Sequence, residues 1–160
     1  MNDTGSTLTH LQGALSGESY PADELIGLDP GDERPLLARY DIERAARTLT
    51  EKSLGERRTG GLWRWAELLP VRDGSNVVYL GEGDTPLLSQ SRLGEALGVP
   101  RLATKAEGLN PTGSFKARGM AVAVSRAVEL SVTSFIALRR GTLQVRLRPT
   151  ARLPARRSRC

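Results

Sequence analysis

Apolar residues change their spacing along the 160-residue chain. Residues 1–36 contain only short apolar islands among Gly, Pro, Asp and Ser, which predicts a loosely structured segment with one or two small strands. Behind Asp41, a suitable N-cap, apolar residues recur at helical spacing and predict a helix over roughly 42–53. The stretch "GLWRWAELLP" predicts a second short helix that ends at Pro70.

The following segments alternate between strand and helix patterns. "NVVYL" (76–80) predicts a strand, and "GEGDTPLL" (81–88) a glycine-punctuated turn that leads into an extended piece. Further on, the sequence predicts a short helix from Ser91 to Gly98, a strand at 101–105, a long helix from Ser114 to about Leu130, and a strand at 132–137. A strand, a long helix and a strand within so few residues form a βαβ unit, so we predict an α/β fold with a parallel sheet.

The long helix carries an apolar stripe of larger side chains beside a face of small ones. The stripe consists of Met120, Val124, Ala127 and Val128, and alanines fill much of the remaining circumference. This pattern predicts a helix covered on several sides, as beside a central sheet, and an exposed apolar face at Val124 and Val128 if the covering sheet is incomplete.

Composition narrows the class of protein. The sequence shows no secretory segment and no apolar run long enough for a membrane helix, so we expect a cytoplasmic protein. The one cysteine, Cys160, excludes an internal disulfide framework and a cysteine-built zinc site. Eight of the 23 basic residues and none of the 18 acidic ones fall in 138–160, so the net charge of +5 belongs to this tail and the preceding part is mildly acidic.

The heptapeptide "NPTGSFK" (110–116) is the strongest candidate for chemistry. Ser114 is placed to cap the long helix by accepting from a backbone N–H two or three residues on, which puts Lys116 in the first turn. The positive end of the helix dipole disfavours an ammonium there and favours the neutral amine that condenses with a carbonyl. A solvated surface lysine is the alternative interpretation of this position alone.

The wider pattern "KAEGLNPTGSFKARG" (105–119), preceded by "LWRWAELLPV" (62–71) and "LGEGDTPLL" (80–88), resembles threonine synthases among the pyridoxal phosphate enzymes of the tryptophan synthase β-subunit class. The resemblance implies a fragment of the three-layer parallel-sheet fold of these enzymes, fold type II. It also implies pyridoxal 5'-phosphate as cofactor and conversion of O-phospho-L-homoserine and water to L-threonine and phosphate. Full-length members of this family are expected to be homodimers.

The resemblance assigns roles to individual residues. Lys116 would bind the cofactor covalently and, once released, shuttle protons, and Phe115 and Ser114 would line the cofactor side of the loop. Thr85 and Asn110 would face the substrate, with a structural role as the alternative for each, and Arg118 is expected to be structural. The amino-terminal segment occupies the position of a zinc-ribbon-like segment in some members, yet it has no cysteine, and His10 alone cannot hold a metal.

The resemblance ends near Ala137, where a small-residue loop and an alanine-rich helix are expected and arginine-rich sequence follows. Permissible codons for residues 138–150, read one nucleotide earlier, encode Ala-Pro-Thr-Gly-Asn-Ala-Ala-Gly-Ala-Leu-Ala-Ala-Tyr, which resembles the missing loop and helix. We therefore expect a small amino-terminal segment over 1–40, the start of the pyridoxal phosphate domain over 41–137, and an out-of-frame, disordered tail over 138–160. Alone, such a truncated chain should be inactive or nearly so.

Three other functions remain open from the residues. The chain resembles siblings such as threonine dehydratase less specifically, but these would share the lysine and the cofactor. The basic tail would suit a binding module for nucleic acid or an acidic partner, although arginines without aromatic residues give only nonspecific phosphate attraction. A short scaffolding relative of the enzyme would have to form a stable fold by itself.

Overall fold

The computed structural model describes residues 3–137 and 145–147. The chain divides into two compact units, Met1–Leu130 and Ser131–Cys160. The predicted boundaries at residues 40 and 137 stay predictions; residues 1–40 lie in the same unit as the candidate lysine. Among the described residues, no helix has the length and apolar character that crossing a membrane requires.

The amino-terminal segment forms a three-stranded antiparallel sheet, which is more order than its composition predicts. The strands are β1 (Leu8–Gly13), β2 (Ser19–Pro21) and β3 (Leu36–Tyr40), in the order β2-β1-β3. Polar turns connect them, and Gly17 takes the left-handed conformation (φ +74°) in the first. The second connection closes where Asp29 N–H donates to the Arg34 carbonyl at 2.8 Å. Local hydrogen bonds thus order a segment that has few apolar residues available to form a core.

One buried carboxylate joins the two connections of this sheet. Asp29 is only 1% exposed, and it accepts hydrogen bonds from the Ser16 hydroxyl, from the Tyr20 hydroxyl at 2.7 Å and from Gly31 N–H at 2.8 Å. We call these four residues the Asp29 cluster. The hydrogen bonds from Ser16 and Tyr20 lower the pKa of Asp29, and the bond to Asp29 raises the pKa of Tyr20 to about 12. A Cβ at Gly13 would collide with this carboxylate, so glycine is required there.

The helix predicted over 42–53 is two helices, α1 (Ile42–Thr48) and α2 (Glu51–Glu56). Asp41 caps α1 as predicted, accepting from Arg44 N–H at 2.8 Å. The break follows because Leu49 leaves the helical conformation and Thr50 forms a capping box with Ser53. Hydroxyl side chains that bond to the backbone thereby override the apolar periodicity that favoured one continuous helix.

A second buried carboxylate, Glu67, lies in the 3₁₀ segment Gly61–Leu68, where the sequence predicted a short helix. It accepts two hydrogen bonds from the Arg57 guanidinium and one from Thr48 Oγ1 at 2.9 Å. The Arg57 hydrogen bonds lower the pKa of Glu67 to about 2 against the opposing effect of burial. This ion pair connects the end of α2 to the 3₁₀ segment.

The strand predicted at 76–80 is wrong. Gly74–Asn76 form a 3₁₀ turn, and the residues that follow run extended without a strand partner among the described residues. Val78 N–H instead donates to the side-chain hydroxyl of Ser125 at 2.8 Å. A helix side chain therefore supplies the hydrogen bond that a neighbouring strand was expected to supply.

The remaining strands are short. In the first unit, β4 (Leu87–Ser89) pairs antiparallel with β5 (Ala103–Lys105), and α3 (Ser91–Ala96) lies between them in sequence, followed by Gly98 at φ +69°. In the second unit, β6 (Phe135–Ala137) pairs antiparallel with β7 (Val145–Leu147). The α/β class is confirmed, but every strand pair of the described residues is antiparallel, so the parallel sheet is not among them. Apart from β7, the tail predicted over 138–160 lies outside the described residues.

The long helix α4 (Lys116–Glu129) packs through its small residues rather than through the predicted apolar stripe. Ala117, Ala121 and Ser125 are buried, whereas Met120 and Val128 are 39% and 46% exposed. Small side chains one turn apart let the helix backbone come close enough for Ser125 to bond Val78. The exposed face at Val128 agrees with the expectation that its covering partner is missing from this unit.

The carboxyl end of α4 is tied to the beginning of the chain. Arg126 donates to the Ala22 carbonyl at 2.9 Å and to Asp23 Oδ1 at 2.7 Å. Glu129 accepts from the backbone N–H groups of Arg72 and Asp73, both at 2.8 Å. These contacts fix α4 against the segment that joins β2 to β3, and with it the residues at its amino end.

Candidate active site

The loop over 110–116 is shaped by a turn and a glycine. Gly113 N–H donates to the Asn110 carbonyl at 2.8 Å, and Gly113 takes φ +67°, which a side chain would make unfavourable. α4 begins at Lys116, whose N–H donates to Ser114 Oγ at 3.3 Å, so Ser114 accepts from two residues on, as predicted. Phe115, rather than Ser114, occupies the N-cap position and makes no side-chain capping bond.

Lys116 presents its amine to solvent. Its side chain is exposed, and among the described residues its amine makes no hydrogen bond or ion pair. Phe115 beside it is 62% exposed, and Ser114 is partly exposed. The amine of Lys105, in contrast, donates to the Thr85 carbonyl. The residues predicted to bind the cofactor therefore lie together on one accessible stretch.

Glu107, which precedes the loop in sequence, binds three other side chains. Arg118 donates to it twice, from Nε at 2.9 Å and from Nη2 at 2.8 Å, in the bidentate arrangement typical of arginine and carboxylate. Thr85 Oγ1 donates at 2.6 Å and Asn110 Nδ2 at 3.0 Å. We call these four residues the Glu107 cluster. Hydrogen bonds from Arg118, then Thr85, lower the pKa of Glu107 to about 2, and the bond to Glu107 raises the pKa of Arg118.

The two substrate candidates are buried parts of this cluster. Thr85 is 5% exposed and Asn110 is 4% exposed. Thr85 Oγ1 donates to Glu107 and accepts from Arg118 at 3.2 Å, which leaves it one acceptor site. Both N–H groups of the Asn110 amide donate to Glu107, and Oδ1 accepts from Gly83 N–H at 3.1 Å. Their polar atoms thus already hold loops together.

The glycines of the two upstream motifs let their backbones meet. Leu62 N–H donates to the Glu82 carbonyl at 2.8 Å, and a Cβ at Gly83, which takes φ +104°, would lie 2.5 Å from Leu62 N. Gly61 N–H donates to Asp84 Oδ2 at 2.6 Å. Because Gly83 also donates to Asn110, three motifs that are separated in sequence form one continuous hydrogen-bonded structure.

The sequence-predicted site residues therefore fall into two groups. Three of them, Lys116, Phe115 and Ser114, share the exposed stretch. The other two, Thr85 and Asn110, both donate hydrogen bonds to the carboxylate of Glu107. Sequence reasoning missed Glu107 itself. An acidic residue three positions before Asn110, with an arginine two positions after the lysine, is the signal that would have identified it.

The pyridoxal-phosphate dependent enzyme family matches residues 78–142, which include the whole Glu107 cluster and Lys116, and the match extends slightly beyond Ala137. Residues 78–142 are thus similar to part of the domain of this enzyme class. The relatives described below are threonine synthases, and the resemblance seen in the sequence motifs is confirmed.

Three of these relatives illustrate the extent of the similarity. The threonine synthase of Methanocaldococcus jannaschii is 44% identical over 72% of this chain and 28% of its own length. That of Methanosarcina acetivorans is 38% identical over 78% of this chain and 30% of its own, and that of Halalkalibacterium halodurans 47% over 44% and 20%. The chain spans under a third of the curated relatives it matches. No solved structure gives a significant match.

The described residues fit the covalent part of cofactor binding. The Lys116 amine is exposed and unpaired, and a Cβ at Gly113 would meet nothing within 4 Å, so the loop leaves open space beside it. The amino end of α4 adds the partial positive charge that favours an anionic ligand. Among the described residues, no group of His, Cys, Asp and Glu could hold a metal ion.

Proposed function

We propose that this chain carries the lysine-bearing part of an enzyme that converts O-phospho-L-homoserine and water to L-threonine and phosphate with pyridoxal 5'-phosphate. The observation that carries the proposal is the free, exposed amine of Lys116 at the start of α4, within the region matched by the cofactor's enzyme family. Threonine dehydratase is the alternative, because a related enzyme would share this amine.

Each residue of the loop has a separate task in this proposal. Lys116 holds the cofactor through its Nζ atom and later receives and returns protons at that atom. Phe115 covers the cofactor side of the loop with an apolar ring, and Ser114 maintains the turn through its bond to Lys116 N–H. When bound, pyridoxal phosphate supplies an electron sink for the substrate's reacting carbons.

Substrate contacts by Thr85 and Asn110 stay a prediction. Thr85 Oγ1 keeps one acceptor site, and Asn110 Oδ1 keeps a second lone pair after bonding Gly83 N–H. A substrate hydroxyl or ammonium donates, so these remaining sites are of the right kind. Arg118, whose Nε and Nη2 donate to Glu107 and Thr85, acts structurally in this proposal.

The wider assignments extend the same proposal. We infer that the described residues are part of the three-layer parallel-sheet fold of this enzyme class, that the full-length enzyme is a cytoplasmic homodimer acting on a small-molecule substrate, and that the present chain alone has little or no activity. We also propose that residues 138–160 are translated in a shifted frame, which is supported by the alanine-rich loop and helix that the shifted codons encode; the family match ends at 142, within the first residues of this stretch. Sequencing the coding DNA tests this: codons other than those that yield the alanine-rich loop and helix would exclude it.

Covalent labelling tests the central assignment. The chain is incubated with pyridoxal phosphate, reduced with borohydride and mapped by peptide mass spectrometry. Of its three lysines, Lys116 should carry most of the label, and Lys116→Ala should abolish both that label and the visible absorbance of the bound cofactor. Lys52→Ala, a change at an exposed lysine in α2, is the matched control and should change neither. Equal labelling of Lys52 and Lys116 would contradict the proposal.

A further inference from the structure

We propose that Glu107 is a positioning residue for Lys116, because its carboxylate holds both ends of the loop that presents the lysine amine. This inference rests on the proposed function, since it assigns a purpose to the position of that amine. Asn110 is the first residue of the loop and Arg118 lies two residues after the lysine, and both donate to Glu107. A single side chain therefore fixes where the loop begins and where α4 starts.

Glu107 has no capacity left to bind a ligand itself. Its two oxygens receive four hydrogen bonds, two from Arg118, one from Thr85 and one from Asn110. An ionised carboxylate offers about four lone-pair sites, so all are occupied. The role of Glu107 is thus exerted through the residues that it holds and not through contact with substrate or cofactor.

The loop between the two anchored ends depends on them. Pro111, Thr112 and Gly113 are exposed, and the described backbone contact within the turn is the single bond from Gly113 to Asn110. An exposed segment with a glycine gains considerable conformational freedom when its ends are released. The amine would then spend less time at the position where a bound aldehyde meets it, and covalent attachment would become slower and less selective.

Charge gives a second reason for an acidic residue at position 107. Lys116 and Arg118 both lie in the first turn of α4, where the helix dipole disfavours cations. The bidentate contact with Glu107 neutralises Arg118, which leaves Lys116 as the unpaired cation of that turn. The low pKa of Glu107 agrees with a carboxylate that stays ionised throughout the physiological range.

The test compares Glu107→Gln with Glu95→Gln, a matched change at an exposed residue of α3. Hydrogen exchange of the backbone amides is measured without cofactor, and pyridoxal phosphate labelling of the three lysines is then measured after borohydride reduction. In Glu107→Gln, amides 112–118 should exchange at least about tenfold faster while those of β1 and β3 are unchanged. Label on Lys116 should fall severalfold relative to Lys52. The Glu95→Gln control should match the unmodified chain in both measurements.

A general structural role gives a different result. If Glu107→Gln accelerates exchange equally in residues 8–40 and 112–118, or in neither, the positioning role is excluded. If that variant does not fold, Arg118→Lys serves instead, because it keeps the charge but loses the bidentate geometry. It should accelerate amide exchange in the same residues, 112–118, but by a smaller factor. If the unmodified chain takes no label on Lys116, the proposed function fails, whereas the exchange data still decide whether Glu107 fixes the loop.

Discussion

The Asp29 and Glu107 clusters solve the same problem with different chemistry. In each, hydrogen bonds to one carboxylate join two loops. Asp29 is buried and accepts only from neutral donors, two hydroxyls and a backbone N–H. Glu107 keeps 28% of its side chain exposed and shares a bidentate ion pair with Arg118.

The difference follows from what each site must support. The Asp29 cluster connects two turns of a small sheet, and dipoles from nearby residues satisfy its charge without a long cationic side chain. The Glu107 cluster holds an exposed loop that carries the amine of Lys116, and its arginine lies on α4. We infer that neutral donors suit a buried carboxylate between two turns, whereas an ion pair suits a partly exposed carboxylate that holds an exposed loop.

The ion pair between Glu67 and Arg57 is more buried than the pair between Glu107 and Arg118. Breaking it should therefore have the largest effect on stability. Arg57→Ala leaves a carboxylate that is 5% exposed without its cation, a change that typically costs about 3–5 kcal/mol. Urea unfolding followed by circular dichroism measures the loss. Arg58→Ala, at an exposed neighbour, is the control and should stay within about 0.5 kcal/mol of the unmodified chain. Equal losses in the two variants would show that the pair contributes little.

Removing the Asp29 carboxylate should have the next largest effect. Asp29→Ala leaves the donors of Ser16, Tyr20 and Gly31 without their acceptor and should lower Tm by about 5–10 °C. Asp29→Asn should lower it less, because the amide oxygen still accepts and the Ser16 hydroxyl can turn to accept from the amide. Thermal unfolding of both variants tests this order. An Asn variant as unstable as the Ala variant would show that charge, not hydrogen bonding, holds the loops.

Acid should weaken the Glu107 cluster in a defined range. Its folded pKa of about 2 lies below the ordinary value of 4.5, so its stabilisation is complete above pH 4.5 and disappears as the pH falls toward 2. Urea midpoints measured across this range should fall less steeply in Glu107→Gln than in the unmodified chain. Added salt should narrow the difference between the two proteins, because it screens a partly exposed ion pair. Parallel pH profiles would contradict the assigned pKa.

Alkali should produce the smallest effect in this comparison, through the Tyr20 hydroxyl of the Asp29 cluster. Tyr20 has a folded pKa of about 12 against an ordinary value of 10.0, so its contribution is complete below pH 10 and is lost as the pH rises through 12. Tyr20→Phe should remove this part of the alkaline loss while Tyr79→Phe, whose hydroxyl is outside the cluster, should not. Ultraviolet titration of tyrosine gives an independent measurement of the shift.

Sequence motifs located the loop and the start of α4 better than periodicity located the strands. The NPTGSFK heptad identified the exposed lysine because turn residues and a helix start leave a local signature. The network around Glu107 leaves only the spacing of Glu107, Asn110 and Arg118 as a signature, since Thr85 joins it only after the chain has folded. The split between α1 and α2 was missed because a hydroxyl cap at Thr50 outweighs the apolar spacing on either side.

Tertiary contacts explain the remaining differences. Val78 lies in a stretch with strong strand preference, yet its N–H donates to the hydroxyl of Ser125 in α4 and not to a neighbouring strand. The apolar stripe of α4 predicted the wrong face, since Met120 and Val128 are exposed. The helix packs by its smallest residues, of which Ser125 bonds the backbone at Val78. Neither outcome depends on residues close in sequence, so neither can be deduced from local pattern.

The contacts of Arg126 imply an order of assembly. The three-stranded sheet closes using residues from the first 40, whereas Arg126 reaches groups that precede it by 104 and 103 residues. Contacts of such separation form slowly, because the entropy of a long intervening loop must be overcome first. During synthesis, the sheet can therefore form while α4 is still being made, and docking of α4 onto Ala22 and Asp23 becomes a late kinetic step of this unit.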